Sequence, residues 1–242
     1  MGIPKPSVED ILRDVAAERA VCVSAVAELP TRFGHFQVVA FHAPDESKEH
    51  AALVHGDITG KEDVPVRLHS ECLTGDAFTS FRCDCRQQLE LAMEKVQEMP
   101  AGAILYLRQE GRGIGFANKI RAYQLQEMGL DTNEANERLG FQADERDYEV
   151  AAQMLRALGV KSVRLMSNNP DKARDLEHHG IKVTGRIEVV VPPTPHNAFY
   201  LETKRVKSGH LLPEVPKSVL SEQLDCMHRT SNKQRRGEPA AV

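Results

Sequence analysis

The sequence predicts an α/β protein, with α and β elements mixed, built as a mixed β-sheet with flanking helices in a single main domain. Three observations lead there. Four strand-like runs follow one another before Cys72. From Cys85 the apolar residues change to helical spacing. Beyond Pro100, apolar strands alternate with amphipathic helices. A chain of 242 residues suffices for one large domain or two small ones, and its 41% hydrophobic fraction allows a sizeable core. The net charge of −4 gives no global basic footprint, so nucleic acid is not an expected partner, although a local basic pocket for a small anion is still allowed. No run is long and apolar enough for a membrane span, and MGIPKPSVED is not a signal peptide. Met-Gly followed by Ser7 does not fit the spacing for myristoylation. The expectation is a cytoplasmic protein, off the membrane, with reduced thiols.

Taken in order, residues 1–20 carry a short amphipathic helix candidate, Val8 to Ala20, and are expected to form an accessory extension. The main domain is expected to cover 21–212. It opens with strands over 21–29 and 36–43, joined by a turn between Pro30 and Gly34. Strands over 51–58 and 64–71 follow. Leu89, Met93 and Val96 then repeat on one helix face, and Pro100 ends that helix. The unbroken apolar run 101–109 predicts a buried strand, and the glycine-rich loop after it opens into a helix. The polar stretch 131–147 has room for a short helix. Val150, Met154, Leu155 and Leu158 share one face of a clearer helix, with Gly159 in the C-cap position. VKSVRLMS reads as a strand, NNPDKARDLEHHG as a helix with Pro170 near its start, IKVTGRIEVVV as one or two strands, and Asn197 to Gly209 as a last helix. From Pro213 the composition turns polar and irregular, so 213–242 is expected to be a disordered tail.

The chemistry concentrates in RLHSECLTGDAFTSFRCDCRQQ, residues 67–88, which holds three of the five cysteines, Cys72, Cys83 and Cys85. In a reducing compartment such a cluster suggests a metal before a disulfide. Zinc accepts soft thiolates, and a catalytic zinc keeps three protein ligands and one open position. A structural zinc with His69 as fourth ligand, or plain buried thiols, also satisfies the spacing. Cys22 and Cys226 lie far from the cluster. Arg67, His69, Glu71, Thr74, Asp76 and Arg82 crowd polar groups around the cysteines, more than a structural site needs. Glu110-Gly111-Arg112-Gly113-Ile114-Gly115 lies between a strand and a helix, where glycines allow close backbone approach and a helix start binds anions. It is neither a P-loop nor a full dinucleotide fingerprint, and a glycine turn without a ligand fits it too. Tyr123 follows on the helix, one turn after Lys119. Asp144 or Asp147 reads as an N-cap. Lys172 sits in a helix's first turn, where the dipole disfavours a cation and a bound anion would remove the penalty, though a solvated surface lysine fits as well.

RLHSECLTGD followed by RCDC resembles the signature of GTP cyclohydrolase II. The resemblance continues through QEGRGIG, NKIRAYQLQ, DTNEAN-LGF-ADER, SNNPDK and YLETKRVKSGHLL, over roughly residues 25–212. It implies hydrolysis of GTP at C8, with release of formate and pyrophosphate. The product would be 2,5-diamino-6-(5-phosphoribosylamino)pyrimidin-4-one, in the first step of riboflavin biosynthesis. It further implies one zinc per subunit on Cys72, Cys83 and Cys85, magnesium with the triphosphate, and a homodimer. GTP would be bound by Arg67, Leu68, His69, Ser70, Glu71, Gln88, Glu110, Gly111, Arg112, Thr132, Ser167 and Lys172. Tyr123 would stand beside the zinc and C8, Asp144 would be the general base, and Arg146 the nucleophile at the α-phosphorus or, alternatively, an electrostatic clamp. Ser167 departs from the Thr that family members commonly carry there but keeps the hydroxyl. Two other readings stand beside this one: a ring-opening enzyme that keeps the formyl group, and a non-catalytic guanine-nucleotide sensor with structural zinc. Tyr123 argues against the first, and Asp144, Arg146 and Tyr123 together against the second. Some 25 residues precede the core, too few for the second riboflavin enzyme fused to many family members, so a monofunctional chain is expected.

Overall fold

Strands with apolar side chains on both faces belong in the middle of a sheet, and those that alternate belong at its edge. A computed structural model of the chain follows this rule; it describes residues 3, 5, 21–42 and 48–224. β4 (Val64–Ser70) and β5 (Gly102–Leu107) are buried along nearly their whole length and lie at the centre, whereas β1 (Cys22–Thr31) and β7 (Lys182–Ile187) are partly exposed and form the edges. With β2 (Gly34–His42), β3 (His50–His55) and β6 (Ser162–Met166), they make a seven-stranded sheet in the order β1-β2-β3-β5-β4-β6-β7. The β1-β2, β2-β3 and β3-β5 pairs are antiparallel; β5-β4, β4-β6 and β6-β7 are parallel. The mixed sheet is as expected, but succession in sequence does not give adjacency. β5 inserts between β3 and β4, because its unbroken apolar run needs cover on both edges and both faces.

The helices are α1 (Leu73–Asp76), α2 (Cys85–Gln97), α3 (Phe116–Glu127), α4 (Thr132–Arg138), α5 (Glu149–Ala157), α6 (Pro170–His178) and α7 (Ala198–Val206), with a 3₁₀ turn at Glu110–Gly113. Ala92, Met93 and Val96 of α2 cover one face of the sheet against Ile104 and Met166. Val150, Met154 and Leu155 of α5 cover the other against Val66, Leu68, Leu105 and Val163. The chain leaves β4 for β5 on one side and reaches β6 on the other. The carboxyl ends of these parallel strands therefore meet at a topological switch point, where open α/β sheets bind ligands.

Of the one or two strands expected over 181–191 the run gives one, β7, since the ladder ends at Ile187. Other expectations need correction. Asp144 does not cap α5. Tyr148 takes the N-cap position without a side-chain cap, and Asp147 accepts from the Glu149 N–H. The boundary at 213 is not a structural one: residues 217–224 are helical, and Val215, Val219 and Leu220 pack against Ala198 and Leu201 of α7. Those apolar residues were diluted by polar neighbours in the sequence. The remainder of the expected tail, the candidate helix Val8 to Ala20 and Cys226 lie outside the described residues. Among the described residues, no helix is long and apolar enough to cross a membrane.

Candidate active site

β4 ends at Ser70 and delivers the chain into the cysteine loop. Cys72 precedes α1, and Cys83 and Cys85 flank Asp84 at the start of α2. The Cys72 and Cys83 sulfurs stand 3.7 Å apart, and all three sulfurs lie within 4.8 Å of one another. Thiolates about 2.3 Å from a tetrahedral zinc would stand about 3.8 Å apart, so the donor set fits zinc. Gly75 makes the cluster possible: a Cβ there would stand 2.8 Å from the Cys83 sulfur and 3.1 Å from that of Cys72. His69 does not join as a fourth ligand. Its Nε2 lies 3.0 Å from the Asp76 carboxylate, and burial keeps the imidazole neutral by lowering its pKa. Three donors facing a cavity match an open site rather than a closed structural one.

The thiols share their protons unequally. Hydrogen bonds from Cys83 and Cys85, helped by the Lys119 charge, hold Cys72 as a thiolate far below the usual thiol range. The bond to Cys72 pushes the Cys83 thiol up to about 11, and Cys85 is raised by the same contacts and by burial. A dication binding here must displace those protons.

A second layer fixes the loop. Asp76 accepts from the Cys72 N–H at 3.0 Å and from the Tyr106 hydroxyl at 2.8 Å, as well as facing His69. Glu110 uses one carboxylate oxygen for the Lys119 ammonium (2.7 Å) and the Gly111 N–H (2.9 Å), and the other for the Leu73 N–H (2.6 Å). Lys119 donates also to the Cys72 sulfur at 3.1 Å. The Tyr123 hydroxyl stands 3.4 Å from that of Thr74, and the Arg82 guanidinium lies over its ring. Gly111 and Arg112 both adopt left-handed backbone conformations, φ 64° and 60°, so the glycine-rich element turns sharply out of β5 before α3 begins.

A cavity of about 1190 Å³ opens over this cluster. All the residues expected at the site reach its wall except Leu68 and Asp144. Leu68 points into the core and contributes its carbonyl, which accepts from the Lys172 ammonium at 2.8 Å. Asp144 stands behind Arg146 and accepts from its Nε at 2.8 Å and its Nη2 at 2.5 Å, while Arg146 Nη1 reaches Ser70 Oγ at 3.3 Å. Burial opposes the Arg146 charge, but the carboxylate overrides it and holds the guanidinium firmly protonated. Arg67 donates to the Met166 carbonyl at 3.1 Å and to Gln88 Oε1 at 2.6 Å, and its buried Nε has no partner among the described residues. Arg112 is held by Asn133 Oδ1 at 2.8 Å and the Ala143 carbonyl at 3.0 Å. Glu71 meets Arg108 at 2.9 Å. The Ser167 hydroxyl closes a local turn with Asn169, and Thr132 opens α4 behind its capping residue Asp131. Burial, then Arg67 and Arg146, push the Lys172 ammonium well below the ordinary lysine range.

Sequence reasoning gave no role to Asp84, Lys119, Tyr200, Lys204 or His210, although Lys119, Tyr200, Lys204 and His210 line the cavity and Asp84 is buried beside it. The signal for Asp84 was its position between two thiols. The others needed the tertiary fold.

The model of the family described as GTP cyclohydrolase II matches residues 22–188. A GTP cyclohydrolase-2 from Picrophilus torridus is 54% identical over 185 residues, 76% of this chain and 96% of the relative. One from Aeromonas hydrophila is 53% identical over 192 residues, 79% and 98% of the two chains. A riboflavin biosynthesis protein RibBA from Endomicrobium trichonymphae is 50% identical over 188 residues, 78% of this chain but 47% of that longer protein.

Proposed function

We infer the chemistry from one premise: the chain belongs to the GTP cyclohydrolase II family. It is an enzyme of that type, hydrolysing GTP in riboflavin biosynthesis. The observation that carries the detailed mechanism is three thiols at zinc-binding separation on the floor of a cavity ringed by Arg67, Arg112, Arg146 and Lys172. Cys72, Cys83 and Cys85 would hold zinc, which supplies Lewis acidity for hydrolytic attack at C8 of the purine. Tyr123, on the cavity wall with its hydroxyl near Thr74, guides a proton at the ring as it opens and as formate leaves. The cationic groups receive the triphosphate, with magnesium as its hard counter-ion.

Arg146 acts on the α-phosphate when pyrophosphate leaves. The fork it makes with Asp144 favours its charged form, which supports an electrostatic clamp over a nucleophile. The nucleophile reading needs Asp144 to take a guanidinium proton, and a phosphoguanidine adduct on Arg146 in a quenched digest would establish it. A homodimer in the cytoplasm completes the reading. Phe116 and Ile120, one turn apart and exposed on α3, support a face between copies. The test is one incubation of zinc-replete protein with GTP and magnesium, followed by mass spectrometry for formate and pyrophosphate together. Both are expected in equal amounts and lost in Cys83→Ser. Ring opening without formate would favour the formyl-retaining enzyme, and GTP binding without product would leave a sensor.

A further inference from the structure

α7 forms one wall of the cavity through Phe199, Tyr200, Thr203 and Lys204, although it lies more than a hundred residues along the chain from the cysteine loop. Besides the apolar packing of Ala198 and Leu201, three sets of polar contacts tie it to other elements. Lys207 reaches Asp131 and Glu134 at the surface, where ion pairs contribute little. Gln223, from the helix at 217–224, accepts from the Phe199 N–H at 2.8 Å and donates to the His196 carbonyl at 3.2 Å. The third contact is of another kind. Lys204 Nζ lies 3.2 Å from Asp84 Oδ1, with side chains 12% and 2% exposed. A buried ion pair is costly to break from one side, because the remaining charge stays behind without compensation.

Asp84 separates Cys83 from Cys85, so whatever holds its carboxylate also sets the turn that presents those sulfurs. Its second oxygen accepts from Gln88 Nε2, and Gln88 Oε1 in turn accepts from Arg67 Nη2. One line of partly buried bonds thus runs from α7 through the cysteine loop to α2 and β4. We propose that Lys204 is a positioning residue acting through Asp84, holding the Cys83–Cys85 turn in ligand geometry and α7 against the nucleotide cavity at the same time. The inference rests on the reading of the cluster as a zinc site and the cavity as the GTP site. It adds to that reading a residue that carries the metal loop and the cavity wall as one unit.

Wild type, Lys204→Met, Lys204→Arg and the pair Lys204→Met with Asp84→Asn are loaded with zinc. Zinc release into excess chromophoric chelator is timed without nucleotide, and KM and kcat for GTP are measured separately under zinc saturation. Lys204→Met is expected to release zinc about 10–100-fold faster, the scale of losses when groups behind metal ligands are removed. Its KM should rise even when zinc is saturating, because α7 is no longer seated. Lys204→Arg should recover part of both. The double variant leaves no uncompensated charge, while the amide that replaces the carboxylate keeps the bond to Gln88, so its release rate should return to within a few-fold of wild type. That return is what a merely structural lysine would not give, and it also serves if the single variant folds poorly. Wild-type release and KM in Lys204→Met, or a double variant as leaky as the single, would overturn the inference. Wild type that takes up no zinc or yields no product from GTP would instead overturn the reading beneath it.

Discussion

Substituting Gly75 with alanine sets two effects against each other at one atom. Gly75 lies in α1 and has no positive φ, so alanine suits its backbone and gains up to about 1 kcal/mol of helix propensity. The added Cβ, however, would stand 2.8 Å from the Cys83 sulfur and 3.1 Å from both the Cys72 sulfur and the Cys85 Cβ. Non-bonded carbons settle at about 3.5–4.0 Å, and sulfur is larger, so the Cys83 sulfur must retreat by roughly 1 Å. Metal–ligand distances tolerate about 0.2 Å. Overpacking of this kind costs about 1–3 kcal/mol, which the propensity gain partly offsets, so Gly75→Ala should still unfold cooperatively, within about 8 °C of wild type. Its zinc affinity should fall on the order of 10–100-fold or more. The assay is titration of metal-free protein with cobalt, following the thiolate-to-cobalt absorption, then displacement by zinc against a chelator. Wild-type cobalt and zinc affinities in a folded Gly75→Ala protein would refute the thiol cluster as the metal site.

Other outcomes follow from the same geometry. Lys172→Met removes a buried ammonium whose hydrogen-bond partner is a carbonyl, so the metal-free, nucleotide-free protein should be no less stable, while GTP affinity by calorimetry drops at least tenfold; an unchanged Kd would remove Lys172 from the phosphate side. Tyr123→Phe should bind GTP as wild type but release formate at least a hundredfold more slowly, the scale of lost acid–base catalysis, with formyl-bearing product visible by mass spectrometry; normal formate release would contradict the role given to the hydroxyl. His210 is held down to about 4 by burial, Lys204, Arg112 and Arg146. The unfolded chain therefore takes up a proton that the folded protein refuses as pH falls from 6.5 towards 4, and stability declines across that window by at most about 3 kcal/mol. Denaturant unfolding of His210→Gln should show a flatter decline between those pH values, and an identical slope would mean that His210 is not shielded.

What the sequence disclosed was governed by local rules. Apolar runs announced β5 and β6, period and Gly159 announced α5, and three closely spaced cysteines announced a donor set. Neighbour relations were not local. Nothing in 101–109 says that β5 pairs with β3 on one edge and β4 on the other, since that choice depends on which edges remain uncovered after every helix has packed. The same limit hid the partner of Asp84: its place between two thiols was legible, but Lys204, ordinary among its own neighbours, became significant only as the other half of a buried pair. It also gave Glu110 a different setting from the one its motif suggests: both carboxylate oxygens are held by Lys119 and backbone N–H groups, which ties the glycine-rich turn to the cysteine loop.

The charge balance explains how a chain of net charge −4 can hold a polyanion. The acids in and behind the cavity wall are engaged: Glu71 by Arg108, Glu110 by Lys119, Glu127 by Arg82 and Asp131 by Lys207 in the wall, Asp84 by Lys204 and Asp144 by Arg146 behind it. Among the described residues, Arg67 and Arg112 donate to carbonyl and amide oxygens and Lys172 to a carbonyl, so no carboxylate is hydrogen-bonded to these three groups in the wall. With the cavity empty, Arg67 and Arg146 depress the Lys172 ammonium behind the larger effect of its burial. A triphosphate entering between them reverses the sign of that environment and favours the lysine's charged form, so anion binding and lysine protonation reinforce one another. Proton uptake should therefore accompany GTP binding at pH values between the lysine's depressed and restored ranges, and calorimetry in buffers of different ionisation enthalpy, repeated across a pH series, would locate it. The same experiment on Lys172→Met should lose that proton, since a thioether has none to gain.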